Sequence, residues 1–198
     1  LLGDYQLENA ATALGALGLL RERGFQLSDE AVVRGFSRIQ WPCRMEVLRN
    51  QPLVVADGAH NPYSAARLRD ALRITFAFDR LVLVLGTSAD KNIEEIVAQL
   101  ARARPEVFVT RSRHPRSVPP ALLAEAFARH GIAAHPVEGV ADAIEAALGT
   151  VGERDLVLAT GSLFVAAEAR EALKGITPEV YYEFAQAQVA LPGAAPER

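Results

Sequence analysis

Residues 81–110 read LVLVLGTSADKNIEEIVAQLARARPEVFVT, and their order sets the fold class. Leu81 to Leu85 are apolar without a polar alternation, which describes a strand covered on both faces rather than one with a wet side. Gly86 to Asn92 form a polar loop, a helix starts at Ile93, and Val107 to Thr110 supply a second strand of the same kind. Strand, helix and strand, with both strands doubly buried, make a parallel unit with its crossover helix on one face.

The same alternation extends in both directions. Upstream, LVVA (Leu53 to Ala56) is followed by a helix from Pro62; downstream come a helix from Pro119, a weak strand at Ala133 to Val137, a helix from Val140, LVLA (Leu156 to Ala159) and a helix from Leu163. This pattern predicts an α/β fold, a mostly parallel open sheet with helices on both faces. A closed eight-stranded barrel would need more strands and about 250 residues. The first forty residues differ, because they contain no strand. Gln6 to Arg23 reads as a helix stopped by Gly24, and Ser28 caps a second one with Asp29 and Glu30 in its first turn, where the helix dipole favours acids. After Trp41-Pro42 the texture changes. Met45 to Arg49 and Leu53 to Ala56 are short extended segments separated by the turn signal Asn50-Gln51-Pro52. The reading is therefore a helical segment over 1–40, an α/β domain over 44–175, and a tail over 176–198 with a short helix at Pro178 to Val189.

Composition removes several classes of function. Of 198 residues half are apolar and 23% charged, the balance of a globular protein with a sizeable core. Apolar runs are about seven residues or fewer, far below the roughly 20 that a spanning helix needs, and Leu1 to Ala16 has no basic n-region ahead of an apolar core. No membrane association and a cytosolic location are expected. A net charge of −3 argues against nucleic-acid binding by bulk charge. Cys43 is the single cysteine, so disulfide frameworks and cysteine zinc sites are out. Of 21 basic residues only Lys91 and Lys174 are lysine.

In an open parallel sheet, ligands gather outside the carboxyl ends of the strands. DGAHNP (Asp57 to Pro62) follows LVVA, with Asn61 as N-cap, Pro62 at N1, and Gly58 permitting a tight turn that presents Asp57 and His60 at the sheet edge. GTSADKN (Gly86 to Asn92) offers Asp90 and Lys91 for charge contacts, the lysine notable in a chain that otherwise chooses arginine. TRSRHPRSVPP (Thr110 to Pro120) carries four basic or imidazole side chains, for which solvated exposure is the ordinary outcome. TGSL (Thr160 to Leu163) places Ser162 at a helix N-terminus able to meet a carboxylate or phosphate. No P-loop or dinucleotide fingerprint is present. His130 and His135 straddle Gly131, and Cys43, His60 and His114 lack finger spacing, so no metal ligands are expected. A Ser162–His60–Asp57 triad lacks the nucleophile elbow.

Taken together, QLENA (Gln6 to Ala10), WPCRME (Trp41 to Glu46), DGAHNP, GTSADKN and TGSLFVAAE (Thr160 to Glu168) stand in the order and approximate spacing of a known family. The chain resembles the C-terminal part of folylpolyglutamate synthase and dihydrofolate synthase, folate-branch members of the Mur ligase superfamily, from about Gly3 to about Arg170. The resemblance implies an ATP-dependent amide ligase that activates a carboxylate of folate or dihydropteroate as an acyl phosphate and joins it to L-glutamate. Residue by residue, it implies ATP contacts at Asn9, Arg44 and Asp57, catalytic roles for Asp57 and His60, and glutamate contacts at His60 and Ser162, with Asp90 and Lys91 as further candidates. It also implies that residues 1–40 are the helical end of a preceding ATPase domain, which holds the P-loop, the Mg2+ ligands and the pteridine pocket, and which partners the α/β domain. The isolated chain is then expected to be inactive. Two positions depart from the family pattern: Cys43 where glycine is common before Arg44, and Asn92 where an aspartate often follows the Asp-Lys pair. Two alternatives are a murein-peptide ligase fragment, disfavoured because that branch usually has tyrosine in place of Gly58, and a non-catalytic nucleotide-binding α/β module.

Overall fold

The structure, a computed structural model, describes residues 1–178. The helix expected over Pro178 to Val189 lies outside the described residues beyond its first position. Two helices open the chain, α1 (Tyr5–Glu22) and α2 (Asp29–Ser37). Ser28 caps α2, its hydroxyl accepting from the Ala31 amide at 3.2 Å. Then come β1 (Glu46–Asn50), β2 (Leu53–Ala56), α3 (Pro62–Thr75), β3 (Leu81–Leu85), α4 (Ile93–Ala101), β4 (Glu106–Val109), α5 (Pro120–Ala128), β5 (Ala134–Pro136), α6 (Val140–Leu148), β6 (Leu156–Thr160) and α7 (Leu163–Lys174). Each element predicted within the described residues is present, with ends shifted by a residue or two. Pro119 caps α5 rather than starting it.

The six strands form one sheet in the order β1-β2-β6-β3-β4-β5. Every neighbouring pair is parallel except β1 and β2, which the Gln51-Pro52 turn folds into an antiparallel hairpin. The period-two rule divides the strand side chains cleanly. Val55, Leu83, Leu85, Val107, Val109, Leu156 and Leu158 pack on one face with α3, α4 and α5. Val54, Val82, Val84, Phe108, Val157 and Ala159 pack on the other with α6 and α7. Both faces are covered, which is why these strands read as unbroken apolar runs.

The chain leaves β2 for β3, β4 and β5, and returns last to insert β6 between β2 and β3. Strand order therefore reverses beside β2, the position where open α/β sheets form their ligand crevice. The loops after β3, β4 and β6 are locked together at this edge. A Cβ added at Gly86 would lie 2.7 Å from the Thr110 carbonyl oxygen, and one at Gly161, whose φ is +95°, would lie 2.5 Å from the Gly86 carbonyl. Only glycine permits both the left-handed turn and the backbone approach.

The two opening helices are built differently. Neither α1 nor α2 buries a residue among those described, and Leu7, Val33 and Trp41 are 73%, 66% and 64% exposed. Tyr5 packs against the main core, and Glu8 meets Arg67 of α3 at 3.3 Å. No described helix is long and apolar enough to cross a membrane.

These burials set a stability contrast. Leu158→Ala removes a fully buried side chain at the centre of the sheet and should lower the unfolding free energy by about 3 kcal/mol. Val33→Ala, on the exposed face of α2, should change it by less than about 0.5 kcal/mol. Urea denaturation of the two variants measures both.

Candidate active site at the carboxyl end of β2

Strand β2 ends at Ala56, and the next six residues turn directly into α3. Asn61 accepts from the Ser64 amide at 2.8 Å while the Ser64 hydroxyl accepts from the Asn61 amide at 3.1 Å, a reciprocal capping box ahead of Pro62 at the first helical position. This cap holds DGAHNP as a rigid corner. Within it Asp57 is buried, one carboxylate oxygen accepting from the Ala59 amide at 2.8 Å and the other from the Met45 amide at 2.8 Å. Burial pushes its carboxyl above the usual aspartate range, opposed by those two amides and by the charges of Arg44 and His60. Gly58 is not left-handed. Its amide donates to the Cys43 carbonyl at 2.8 Å, and a Cβ there would lie 3.2 Å from Leu163 Cδ1, so the glycine serves close packing rather than a reversed turn.

His60 is exposed, with Nδ1 2.8 Å from the Gly58 carbonyl oxygen. A carbonyl only accepts, so Nδ1 carries a proton and Nε2 is the nitrogen available to a ligand. Arg44 enters from the WPCRME turn and lies over the Tyr5 ring at 5.5 Å, a cation–π contact. Burial first, and then the Asp57 charge, push the Tyr5 phenol up to about 12, so it stays protonated. Asn9, one helical turn on from Tyr5, gives an N–H to Gln6 Oε1 at 2.9 Å, which leaves its carbonyl and a second N–H for a ligand edge.

Asn9, Arg44, Asp57 and His60 thus line one cavity of about 320 Å³ at the carboxyl end of β2. A second cavity of about 510 Å³, largely apolar, continues from it between α1 and α2 and shares Asn9, Trp41 and Arg44. The remaining candidates stand aside. Ser162 is buried and caps α7, accepting from the Phe164 amide at 3.2 Å; the cavity wall is made by its neighbour Leu163. Asp90 and Lys91 pair with each other at 2.7 Å on the next loop, with Arg116 at 3.9 Å from the same carboxylate. On the third loop the three arginines are exposed, as expected, but His114 is not. Arg111 pairs with Glu138 and Arg113 with Glu168 and Glu171, while His114 is buried and stacked on Phe164 with ring centroids 4.1 Å apart. Among the described residues, no group of three or more His, Cys, Asp or Glu side chains stands together that could hold a metal ion. Sequence reasoning passed over Tyr5, Trp41 and Tyr63, which supply the aromatic walls. Trp41 was legible as the first residue of WPCRME, and Tyr5 as the residue before QLENA.

The family model described as "Mur ligase, glutamate ligase domain" matches residues 43–163. The chain belongs to the Mur ligase glutamate ligase domain family. Among its relatives, a probable bifunctional folylpolyglutamate synthase/dihydropteroate synthase of Haloferax volcanii is 37% identical over 86% of this chain and 20% of its own length. The solved Mycobacterium tuberculosis folylpolyglutamate synthase complexed with ADP superposes with a TM-score of 0.81 at 34% identity, over 90% of this chain and 42% of that one. A bifunctional folylpolyglutamate synthase/dihydrofolate synthase solved with Mn, AMPPNP and L-glutamate bound gives a TM-score of 0.71 at 30% identity, over 80% of this chain and 38% of that one. The chain thus spans between a fifth and about two-fifths of the length of these relatives. The mostly parallel α/β sheet expected for a Mur ligase C-terminal domain is the one observed.

Family membership gives the Cys43 departure a structural meaning. Cys43 has φ 61°, a left-handed conformation that costs a side-chain-bearing residue roughly 1–2 kcal/mol and that glycine adopts freely. Its thiol is buried against Ala56 and Ala166, and burial, followed by the Glu46 charge, pushes it up to about 11, so it is a neutral thiol near pH 7. Cys43→Gly exchanges relief of strain for lost packing and should move stability by less than about 1 kcal/mol. Cys43→Val, β-branched in the same conformation, should cost about 2 kcal/mol or more. Thermal melts of the pair test this.

Proposed function

We propose that this chain is the C-terminal, glutamate-ligating domain of an ATP-dependent folylpolyglutamate synthase or dihydrofolate synthase, acting in the cytoplasm. The convergence of Asn9, Arg44, Asp57 and His60, drawn from three separated motifs onto one cavity of a glutamate ligase domain, carries the reading. When bound, ATP would supply the phosphoryl group that activates a carboxylate of folate or dihydropteroate as an acyl phosphate; the amine of L-glutamate then attacks the acyl carbon, forming the amide as inorganic phosphate leaves.

The residues of the cavity suit the first of these partners. Asn9 offers an amide edge for a purine, with Tyr5 and Trp41 as ring faces beside it. Arg44 offers a planar fork for phosphate oxygens, held above Tyr5 so that it is oriented before the ligand arrives. Asp57 has both oxygens committed to backbone amides, so its part is to hold Arg44 and His60 in place, with its remaining acceptor capacity for ribose hydroxyls. The protonated Nδ1 of His60 leaves Nε2 as a base within this corner, able to take the proton that the glutamate ammonium must lose before it attacks. Ser162 at the start of α7 adds a hydroxyl beside a helix N-terminus for a glutamate carboxylate, and Lys91 a cation on the adjoining loop.

In this reading residues 1–40 are the end of the preceding ATPase domain, which explains why α1 and α2 bury nothing and present Leu7 and Val33 outward. In the same reading the Mg2+ that accompanies ATP and the pteridine pocket belong with that domain.

In the full-length protein Arg44→Ala, Asp57→Ala and His60→Ala should each lower turnover in ATP-dependent glutamate ligation by about a hundredfold or more, with native circular dichroism. Turnover like that of the unmutated enzyme in all three would remove the reading. The 198-residue chain alone should fold, show no ligation, and bind ATP more weakly than about 1 mM in isothermal titration. Sub-millimolar binding or measurable ligation by it would contradict the assignment of the missing parts.

A further inference from the structure

Arg44 is presented by an unusual piece of backbone. Cys43 and Met45, on either side of it, both have positive φ, 61° and 43°. Neither is glycine, so neither rests in the left-handed region without outside help. Three hydrogen bonds supply it. The Cys43 carbonyl accepts from the Gly58 amide at 2.8 Å, and the Met45 amide donates to Asp57 Oδ2 at 2.8 Å, both from the DGAHNP corner. The third comes from a different direction: the Cys43 amide donates to Glu46 Oε2 at 2.9 Å.

Glu46 does not line the β2 cavity. Its other oxygen, Oε1, accepts from Arg170 Nε at 3.1 Å and from Lys174 Nζ at 2.6 Å, both on the C-terminal half of α7. The side chain is 16% exposed. Lys174 and the Cys43 amide hold its carboxyl below the usual glutamate range against the effect of burial, so it is charged at neutral pH and fixed at both oxygens. Lys174 is one of the two lysines in the chain, and here its flexible stem reaches a carboxylate 128 positions away in sequence.

We propose that Glu46, clamped by Arg170 and Lys174, is a positioning residue for Arg44: it holds the Cys43 amide so that the turn stays left-handed and the guanidinium stays over Tyr5, aimed into the cavity. The proposal rests on the reading above that Arg44 meets the nucleotide. A glutamate whose role was only to pair with α7 would leave Arg44 unaffected. Without the carboxylate, the Cys43 N–H loses its acceptor in a buried turn, and the chain on the Arg44 side is free to relax.

The test is a double-mutant cycle in the full-length protein, reading kcat/KM for ATP and KM for glutamate in the ligation assay. Glu46→Ala should lower kcat/KM for ATP about tenfold, and Arg44→Ala by at least as much. The double variant should be no worse than Arg44→Ala, because nothing then remains to be positioned. Glu46→Gln keeps an amide oxygen for the Cys43 N–H and should recover most of the loss. KM for glutamate should stay within about twofold throughout. Multiplying losses in the double variant, or unaltered kcat/KM in Glu46→Ala while Arg44→Ala is impaired, would overturn the positioning role alone. Unaltered kinetics in Arg44→Ala would instead overturn the nucleotide reading beneath it. Should Glu46→Ala not fold, the Arg170→Gln/Lys174→Gln variant leaves Glu46 in place but loosens it. It should melt near the native temperature with kcat/KM for ATP lowered about threefold, and an unchanged value would count against the proposal.

Discussion

The carboxylate of Asp57 joins the two halves of the site. One oxygen takes the Ala59 amide of its own loop and the other takes the Met45 amide of the turn just ahead of β1. That pair of bonds places Arg44 and His60 around one cavity, although sixteen positions separate them in sequence. A carboxylate buried with two backbone donors is expensive to leave unpaired, so the geometry is held from both sides. The usual picture of an active-site aspartate as an exposed reactive group does not describe it. Each of its oxygens already accepts from a backbone amide, and these bonds fix the turns that carry its neighbours.

The sheet provides the rest of the framework. β6 returns last and inserts between β2 and β3, so the loop carrying Ser162 and Leu163 sits against DGAHNP, and Gly86 and Gly161 allow the neighbouring loops to close up backbone to backbone. The candidate site lies at this reversal of strand order. α7 then has contacts at both ends: its N-terminus carries Ser162, and its C-terminal half reaches Glu46 beside the Arg44 turn. One helix therefore spans from the loop assigned to glutamate to the turn assigned to the nucleotide.

The first forty residues follow a different logic. They are helical as their spacing predicts, yet α1 and α2 leave large apolar side chains outward and bury none of their own residues. Tyr5 is the part of this segment that enters the main core, and it does so as the ring beneath Arg44. The segment contributes one wall of the cavity, through Tyr5, Glu8 and Asn9, while the sheet contributes the other.

The sequence by itself determined the elements, because their signals are local: unbroken apolar runs for doubly buried strands, Ser28 and Asn61 as caps, and glycines where loops turn. It also marked Asn9, Arg44, Asp57 and His60 through short motifs. What local pattern does not carry is partnership. That Asp57 is consumed by amides, that the arginines of the third loop are matched by Glu138, Glu168 and Glu171, that His114 is a core ring, and that Ser162, Asp90 and Lys91 stand outside the cavity walls all depend on residues far away in the chain. Only the tertiary structure decided these, since burial and a hydrogen-bond partner are properties of a place in space, and strand insertion brings together places that the sequence keeps apart. The left-handed turn at Cys43 belongs to the same class. A cysteine does not announce a positive φ; the contacts from Gly58, Asp57 and Glu46 impose it.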